Sequence, residues 1–198
     1  MDLDTRYRLL HGTDTEAARA ELARVKATGK PVVVVSACLL GVRCRHDGGD
    51  RQDDDAVARV VAGRDVALLP LCPEVLARMG VPRPAIHLSA DGKRATDDAG
   101  ADVTSELAAG ARLADRFASE VGAAEALLKD RSPSCGVHEV YLGRKLGPGQ
   151  GRFAARLIAR GVAVSAEKPA PPPVEPAADP ADAPTDAGEP SPGGGGPA

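Results

Sequence analysis

The pattern of apolar and polar positions predicts strands and helices in alternation. Four consecutive valines precede Ser36, and turn residues bound this run, which is typical of a strand buried on both faces. Later short apolar runs cover residues 66–69, 126–128 and 162–164. Because helical spacing separates these runs, we expect an α/β fold: a small, three-layer, mainly parallel, Rossmann-like sheet with helices on both faces.

The first 30 residues predict a helical N-terminal extension. Thr13 and Glu16 have the spacing of a capping box. Apolar residues then recur at i, i+4 and i+7, namely Ala18, Leu22 and Val25. We expect this extension, residues 1–30, to precede the main domain over residues 31–168.

Three further helices and one hairpin complete the predicted elements. The helices begin near Asp53, Thr104 and Phe153, and Thr104 with Ser105 is expected to cap the second of them. Residues 86–96 predict a small hairpin around Asp91-Gly92, outside the main sheet.

Composition changes sharply at Pro169. From there to the end the chain holds ten of its 17 Pro and no Ile, Leu, Met or aromatic residue. Such a sequence cannot bury enough surface to offset the entropy of ordering, so we expect a disordered tail over residues 169–198. The tail carries five acidic and no basic residues, and the net charge of −3 therefore becomes +2 over the first 168 residues.

Charge and composition argue against two classes of partner. A charge of +2 is too small to indicate a basic surface that binds nucleic acid, and two Tyr and two Phe are too few to stack on bases. The longest apolar stretch, residues 32–42, is far shorter than the roughly 20 residues that cross a membrane, and the start lacks a secretory signal. We expect a cytoplasmic protein that binds neither nucleic acid nor membrane, and the oligomeric state stays open.

Three of the four cysteines come shortly after predicted strands: Cys38 after the first, Cys72 after the second and Cys135 after the third. Because the carboxyl ends of parallel strands meet at one crevice, we expect these thiols to lie together. In a reducing compartment, thiols are ligands or nucleophiles rather than disulfides.

Spacing leaves three interpretations of these thiols. A structural zinc site usually has paired C-x2-4-C ligands, which this chain lacks, since Cys38 and Cys44 are six positions apart. An iron–sulfur cluster accepts widely spaced ligands, and three cysteines leave one iron able to take substrate. The third interpretation is a set of unrelated buried thiols.

Several motifs occur in the order found in a known family. They are VSACLLG at 35–41, CRHDGG at 44–49, LCPE at 71–74, RP at 83–84, DVT at 102–104 and KDRSPSCG at 129–136. In this order and spacing they resemble the 2-thiouracil desulfurase family. The resemblance spans residues 30–168, and His46 stands where the family usually has Tyr.

The resemblance implies a 4Fe-4S cluster held by Cys38, Cys72 and Cys135, with the fourth iron open to substrate. It also implies a small-molecule thiolated nucleobase as substrate: 2-thiouracil and water give uracil and hydrogen sulfide, without net redox change. Two roles stay open for Cys44, which the resemblance does not make a ligand. It is either a fourth ligand in a resting state or a passive loop residue.

Glu74 is the candidate general base, because it lies two residues after Cys72 on the same loop. The alternative is a first-turn helix residue favoured by the helix dipole. Ser134 is the candidate for orienting substrate or water, with a turn or cap as its alternative. His46 is a proton relay or a solvated loop residue. The backbone N–H of Cys135, between Ser134 and a glycine, is a candidate donor to sulfur.

A second hypothesis is a non-catalytic cluster-binding or zinc-binding protein that senses redox state. Ligation by all four thiols would favour it, because a closed site has no position for substrate. A third interpretation keeps the desulfurase chemistry but changes the substrate to another thioamide or a thiolated nucleoside.

Overall fold

The computed structural model describes residues 1–168, so the tail expected from Pro169 lies outside the described residues. In chain order the elements are α1 (Leu3–His11), α2 (Thr15–Ala27), β1 (Val32–Ser36), a 3-10 helix (Ala37–Leu40), α3 (Asp54–Val61), β2 (Ala67–Leu71), α4 (Pro73–Leu76), β3 (Ile86–Leu88), β4 (Ala95–Asp97), α5 (Thr104–Glu120), β5 (Glu125–Leu128), β6 (Glu139–Leu142), β7 (Lys145–Pro148), α6 (Arg152–Ala159) and β8 (Ala163–Ala166). Among these helices, none is both long and apolar enough to cross a membrane.

The main sheet has the strand order β2-β1-β5-β8, and its strands are all parallel. Val32 and Val34 pack on one face with α2, α5 and α6. Val33 and Val35 pack on the other face with the 3-10 helix and α3. Helices therefore cover both faces of a parallel sheet, and the expected fold class is confirmed.

The order of the strands creates a crevice at the carboxyl end of β1. From β1 the chain passes to β2 on one side, and it later enters β5 on the other side. The segments that follow β1 and β5 therefore run in opposite directions and leave a crevice between them. In open α/β sheets, ligands bind at a point of this kind, where the strand order reverses.

A second sheet has the order β4-β3-β6-β7 and is formed by two insertions into the main one, β3 and β4 between β2 and β5, and β6 and β7 between β5 and β8. The predicted hairpin over residues 86–96 is present as antiparallel β3 and β4. Strands β6 and β7 were not predicted, because each has four residues, only Val140 among them is buried, and β7 contains Gly147 and Pro148. A small core that includes Ile86, Leu107 and Val140 joins this sheet to α5.

Two predicted helix caps are wrong. At α2 the cap is Asp14, whose carboxylate accepts the backbone N–H groups of Glu16 and Ala17, rather than Thr13. Carboxylates satisfy such free N–H groups as well as hydroxyls do. At α5, Thr104 already lies within the helix and its hydroxyl accepts the N–H of Ala95 instead.

Helix α4 is seated on α5 through Gly110. A Cβ atom at this position would lie only 2.0 Å from the carbonyl oxygen of Pro73, the first residue of α4. The absence of a side chain thus allows the backbones of the two helices to come into contact, and this contact determines how close residues 72–74 lie to α5.

Candidate metal-binding site

A cavity of about 610 Å³ lies at the carboxyl ends of the main-sheet strands. Residues directly after β1, β2, β5 and β8 line it, and the second sheet adds His87 and Tyr141. All four cysteines line this cavity and are buried. The structure thus brings Cys38, Cys72 and Cys135 together, with Cys44 beside them.

Cys38 and Cys44 interact directly. The neighbouring Cys44 thiol lowers the pKa of Cys38 despite its burial, and the cations Lys129 and Arg45 act in the same direction. The Cys38 and Cys72 thiols, together with burial, raise the pKa of Cys44 well above its ordinary value. The opposite shifts of the two pKa values favour the thiolate at Cys38 over the thiolate at Cys44.

Cys72 is held by a residue of the N-terminal helices. Its backbone N–H donates to Nε2 of His11 at 2.9 Å, and its Sγ lies 3.8 Å from the carbonyl oxygen of Cys44. Burial lowers the pKa of His11 to about 4, so the imidazole is neutral at physiological pH. Sequence reasoning missed His11, because no local motif links it to a cysteine 61 positions away.

The loop that carries Cys135 is organised by Asp130. Its Oδ1 accepts the backbone N–H groups of Val137, His138 and Glu139 at 2.8, 3.0 and 3.2 Å. Burial alone would raise the pKa of Asp130, but these hydrogen bonds outweigh burial and lower it. The resulting loop places Cys135 in the cavity wall.

The expected role of the Cys135 backbone N–H is wrong. This group donates to the Ser132 hydroxyl oxygen at 3.1 Å, and the N–H of Ser134 donates to the same oxygen at 3.2 Å. Both N–H groups are therefore used within the turn rather than offered to sulfur. Burial raises the pKa of the Cys135 thiol, so ligation there must release a proton.

Glu74 and Ser134 belong to one buried network. Oε1 of Glu74 accepts the Ser134 hydroxyl at 3.0 Å, and Oε2 accepts Nε of Arg83 at 2.9 Å. Glu74 lies in the first turn of α4 and lines the cavity, whereas Ser134 is fully buried behind it. Arg83 was not singled out from the sequence, although it belongs to the short RP motif.

Basic side chains surround the thiols. Lys129 lines the cavity and is partly buried, which lowers its pKa, and its Nζ donates to the carbonyl oxygen of Asp130. Arg45 also lines the cavity and pairs with Asp47. His46 lies on the same wall, and its carbonyl oxygen accepts the backbone N–H of Arg83 at 2.9 Å. These groups favour an anionic occupant of the cavity.

The donor set fits a cluster better than a single metal ion. Within residues 1–168, no three His, Cys, Asp or Glu side chains are gathered closely enough to hold one ion. In an iron–sulfur cluster the thiolates bind different irons, so their sulfurs stand further apart than the ligands of one zinc ion. A ligand set made of thiols alone also suits the soft irons of such a cluster.

Comparisons with known proteins agree with this chemistry. The family model for 2-thiouracil desulfurase matches residues 33–169. The uncharacterized protein YbbK of Bacillus subtilis (strain 168) is 31% identical over 120 residues, which are 57% of this chain and 78% of that protein. The solved structure of the 4Fe-4S-dependent thiouracil desulfidase TudS is 35% identical with a TM-score of 0.63, covering 70% of this chain and 91% of TudS.

Proposed function

The chain belongs to the 2-thiouracil desulfurase family, and from this premise we propose that it is an iron–sulfur-dependent thiouracil desulfurase. The reaction converts 2-thiouracil and water into uracil and hydrogen sulfide. Oxygen from water replaces sulfur at the ring carbon, the carbon–sulfur bond breaks, and both protons of the water end on the released sulfide. No electron is gained or lost overall.

One observation carries this proposal: three buried thiols from three separate strand ends line one cavity. We assign Cys38, Cys72 and Cys135 as the residues that hold a 4Fe-4S cluster. When bound, the cluster supplies a Lewis-acidic iron for the thiocarbonyl sulfur. The similarity to TudS supports this cofactor. A thiol ligand set also supports a reducing, cytoplasmic location.

The chain's own residues supply the remaining steps. Glu74 accepts a proton from the attacking water, because it is the carboxylate on the cavity wall beside Cys72. Ser134 fixes the orientation of that carboxylate from behind, and Arg83, which also lines the cavity, fixes it through Oε2. Lys129 and Arg45 stabilise the anionic sulfide before it leaves. The catalytic domain is residues 31–168, and residues 1–30 are an extension to it.

Anaerobic reconstitution followed by a sulfide-release assay tests the function. We expect the visible absorption of a 4Fe-4S cluster and equal amounts of uracil and sulfide from 2-thiouracil. A chain with no cluster absorption and no sulfide, under conditions in which TudS is active, would contradict the proposal.

A second function is favoured by the position of Cys44, which lines the same cavity as the other three thiols. A site closed by four thiolates would suit a non-catalytic redox sensor. Adding thiouracil to the reconstituted chain distinguishes the two functions, because only an open iron changes its absorption spectrum when substrate binds.

A further inference from the structure

Helices α1 and α2 lie before the first residue matched by the family model, which begins at residue 33. They nevertheless contact the main sheet. Nη1 of Arg6 donates to the carbonyl oxygen of Leu68 at 2.9 Å, on the edge strand β2, and Arg6 also pairs with the buried Glu21. The helices are thus fixed to the strand that leads directly into Cys72.

His11, the last residue of α1, contacts that cysteine. Its imidazole is buried, and Nε2 lies 2.9 Å from the backbone nitrogen of Cys72. Since a backbone N–H only donates, Nε2 is the acceptor and the ring proton is on Nδ1. That proton is donated to the carbonyl oxygen of Tyr7 at 2.9 Å, so both ring nitrogens are used.

Neighbouring groups leave the imidazole little freedom. The Tyr7 ring stacks on it with the centroids 3.9 Å apart. Arg78, which follows α4, donates from Nη1 to the carbonyl oxygen of His11 at 2.8 Å and from Nη2 to that of Gly12 at 2.6 Å. The end of α1 is therefore tied to the chain on both sides of Cys72.

We propose that His11 is a positioning residue for the cluster: its Nε2 fixes the backbone of Cys72 and so holds the Cys72 thiolate toward the cavity. Cys72 is the N-cap of the short helix α4, and its backbone N–H donates to Nε2 of His11, so this bond fixes the residue at which α4 begins. The inference rests on the proposed function, because it assigns Cys72 as a ligand. Partners of this kind typically change metal affinity by about 10-fold to 100-fold when they are replaced.

The test compares three full-length variants after anaerobic reconstitution. His11→Phe keeps the ring but removes the acceptor, and we expect its cluster absorption to disappear about tenfold faster under an iron chelator. In His11→Gln the amide oxygen reaches about as far as Nε2, so the rate stays within about twofold of wild type. Leu10→Ala weakens the packing of the same helix without removing the acceptor, and it controls for general destabilisation.

Melting temperature and cluster loss are measured on every variant. Fast loss in His11→Phe but not in Leu10→Ala or His11→Gln supports the inference. Equal rates in His11→Phe and wild type overturn it, as does a Leu10→Ala cluster that is lost as fast as that of His11→Phe. If His11→Phe does not fold, His11→Asn replaces it, because its amide is too short to reach the Cys72 N–H. A wild-type chain that takes up no cluster overturns the proposed function, and this inference with it.

Discussion

The carboxylate of Glu74 accepts a hydrogen bond from the hydroxyl of Ser134, with 3.0 Å between Oε1 and Oγ. Both residues were candidates for catalysis on separate grounds, and they are 60 positions apart in the sequence. The contact gives them one shared role, because Ser134 is fully buried while Glu74 lines the cavity. We therefore propose that Glu74 meets water or substrate and that Ser134 orients it.

Replacing Glu74 by Gln tests its role in proton transfer. The amide keeps the shape of the side chain but cannot take a proton, so we expect kcat for sulfide release to fall about 10²-fold. The cluster absorption stays at the wild-type level, since Glu74 is not a ligand. Ser134→Ala leaves the carboxylate in place but less well oriented, and we expect a smaller loss, of about tenfold. Wild-type kcat in Glu74→Gln would contradict the assignment.

Arg83 is expected to matter for stability as well as for activity. Its guanidinium forms a buried ion pair with Glu74, with only 5% and 11% of the two side chains exposed. Arg83→Met leaves the Glu74 charge buried without its partner, and we expect a loss of about 3–5 kcal/mol in the free energy of unfolding, measured with urea.

Two further variants control this result. Adding Glu74→Gln to Arg83→Met removes the uncompensated charge, and most of the stability should return. Arg19→Met breaks an exposed pair with Glu16 and should cost at most about 1 kcal/mol. If Arg83→Met costs no more than Arg19→Met, the buried pair does not stabilise the site.

The four cysteines are expected to divide into three ligands and one neighbour. Serine at Cys38, Cys72 or Cys135 should abolish the cluster absorption, because each substitution removes one thiolate ligand. Cys44→Ser should keep the cluster, since the resemblance to the family implies only the other three thiols as ligands and the pKa shifts favour the thiolate at Cys38 over that at Cys44. Iron and inorganic sulfide are measured for all four variants. If Cys44→Ser loses the cluster as fully as the others, the open-iron mechanism is wrong.

The loop around Cys135 should become acid-sensitive through Asp130. Hydrogen bonds from three backbone N–H groups lower the pKa of Asp130 in the folded chain. In the unfolded chain an aspartate has a pKa of about 3.9. The ionised Asp130 therefore contributes its full stabilisation to the folded chain at pH values above about 3.9. This contribution is lost as the pH falls through the lower pKa of the folded state. We expect Asp130→Asn to cost about 1–3 kcal/mol at neutral pH.

Thermal melting of the cluster-free chain checks this prediction at about pH 7 and about pH 3. The difference in melting temperature between wild type and Asp130→Asn should narrow at the lower pH, because Asp130 of the unfolded chain binds a proton there and part of the stabilising contribution is lost. A difference that is the same at both pH values would show that Asp130 acts through its shape rather than through its charge.

The main sheet was predictable because burial on both faces leaves a strong local pattern. The valine run became β1 with the expected bounds, and each of the three thiols follows a main-sheet strand. The contacts that position the thiols have no such pattern. His11 and Arg83 reach the site through pairings that only the fold creates, and nothing in their neighbours reveals those pairings. Strands β6 and β7 were missed because only one of their eight residues, Val140, is buried, so they lack the pattern of a strand buried on both faces.

The close approach of α4 and α5 gives the last prediction. In an exposed helix, Gly→Ala usually stabilises by about 1 kcal/mol, because alanine is the better helix former. At Gly110 the added Cβ would lie 2.0 Å from the Pro73 carbonyl oxygen and 2.9 Å from the Cβ of Ala77, so α4 must move. We expect the cost of overpacking, about 1–3 kcal/mol, to outweigh the helix propensity.

The same movement displaces Cys72 and Glu74, so kcat for sulfide release should fall with the stability. Urea unfolding measures the first effect, and Ala109→Val, which adds bulk at an exposed neighbouring position, is the control. A Gly110→Ala chain that is more stable than wild type and fully active would show that the two helices have room to separate without disturbing the cysteine.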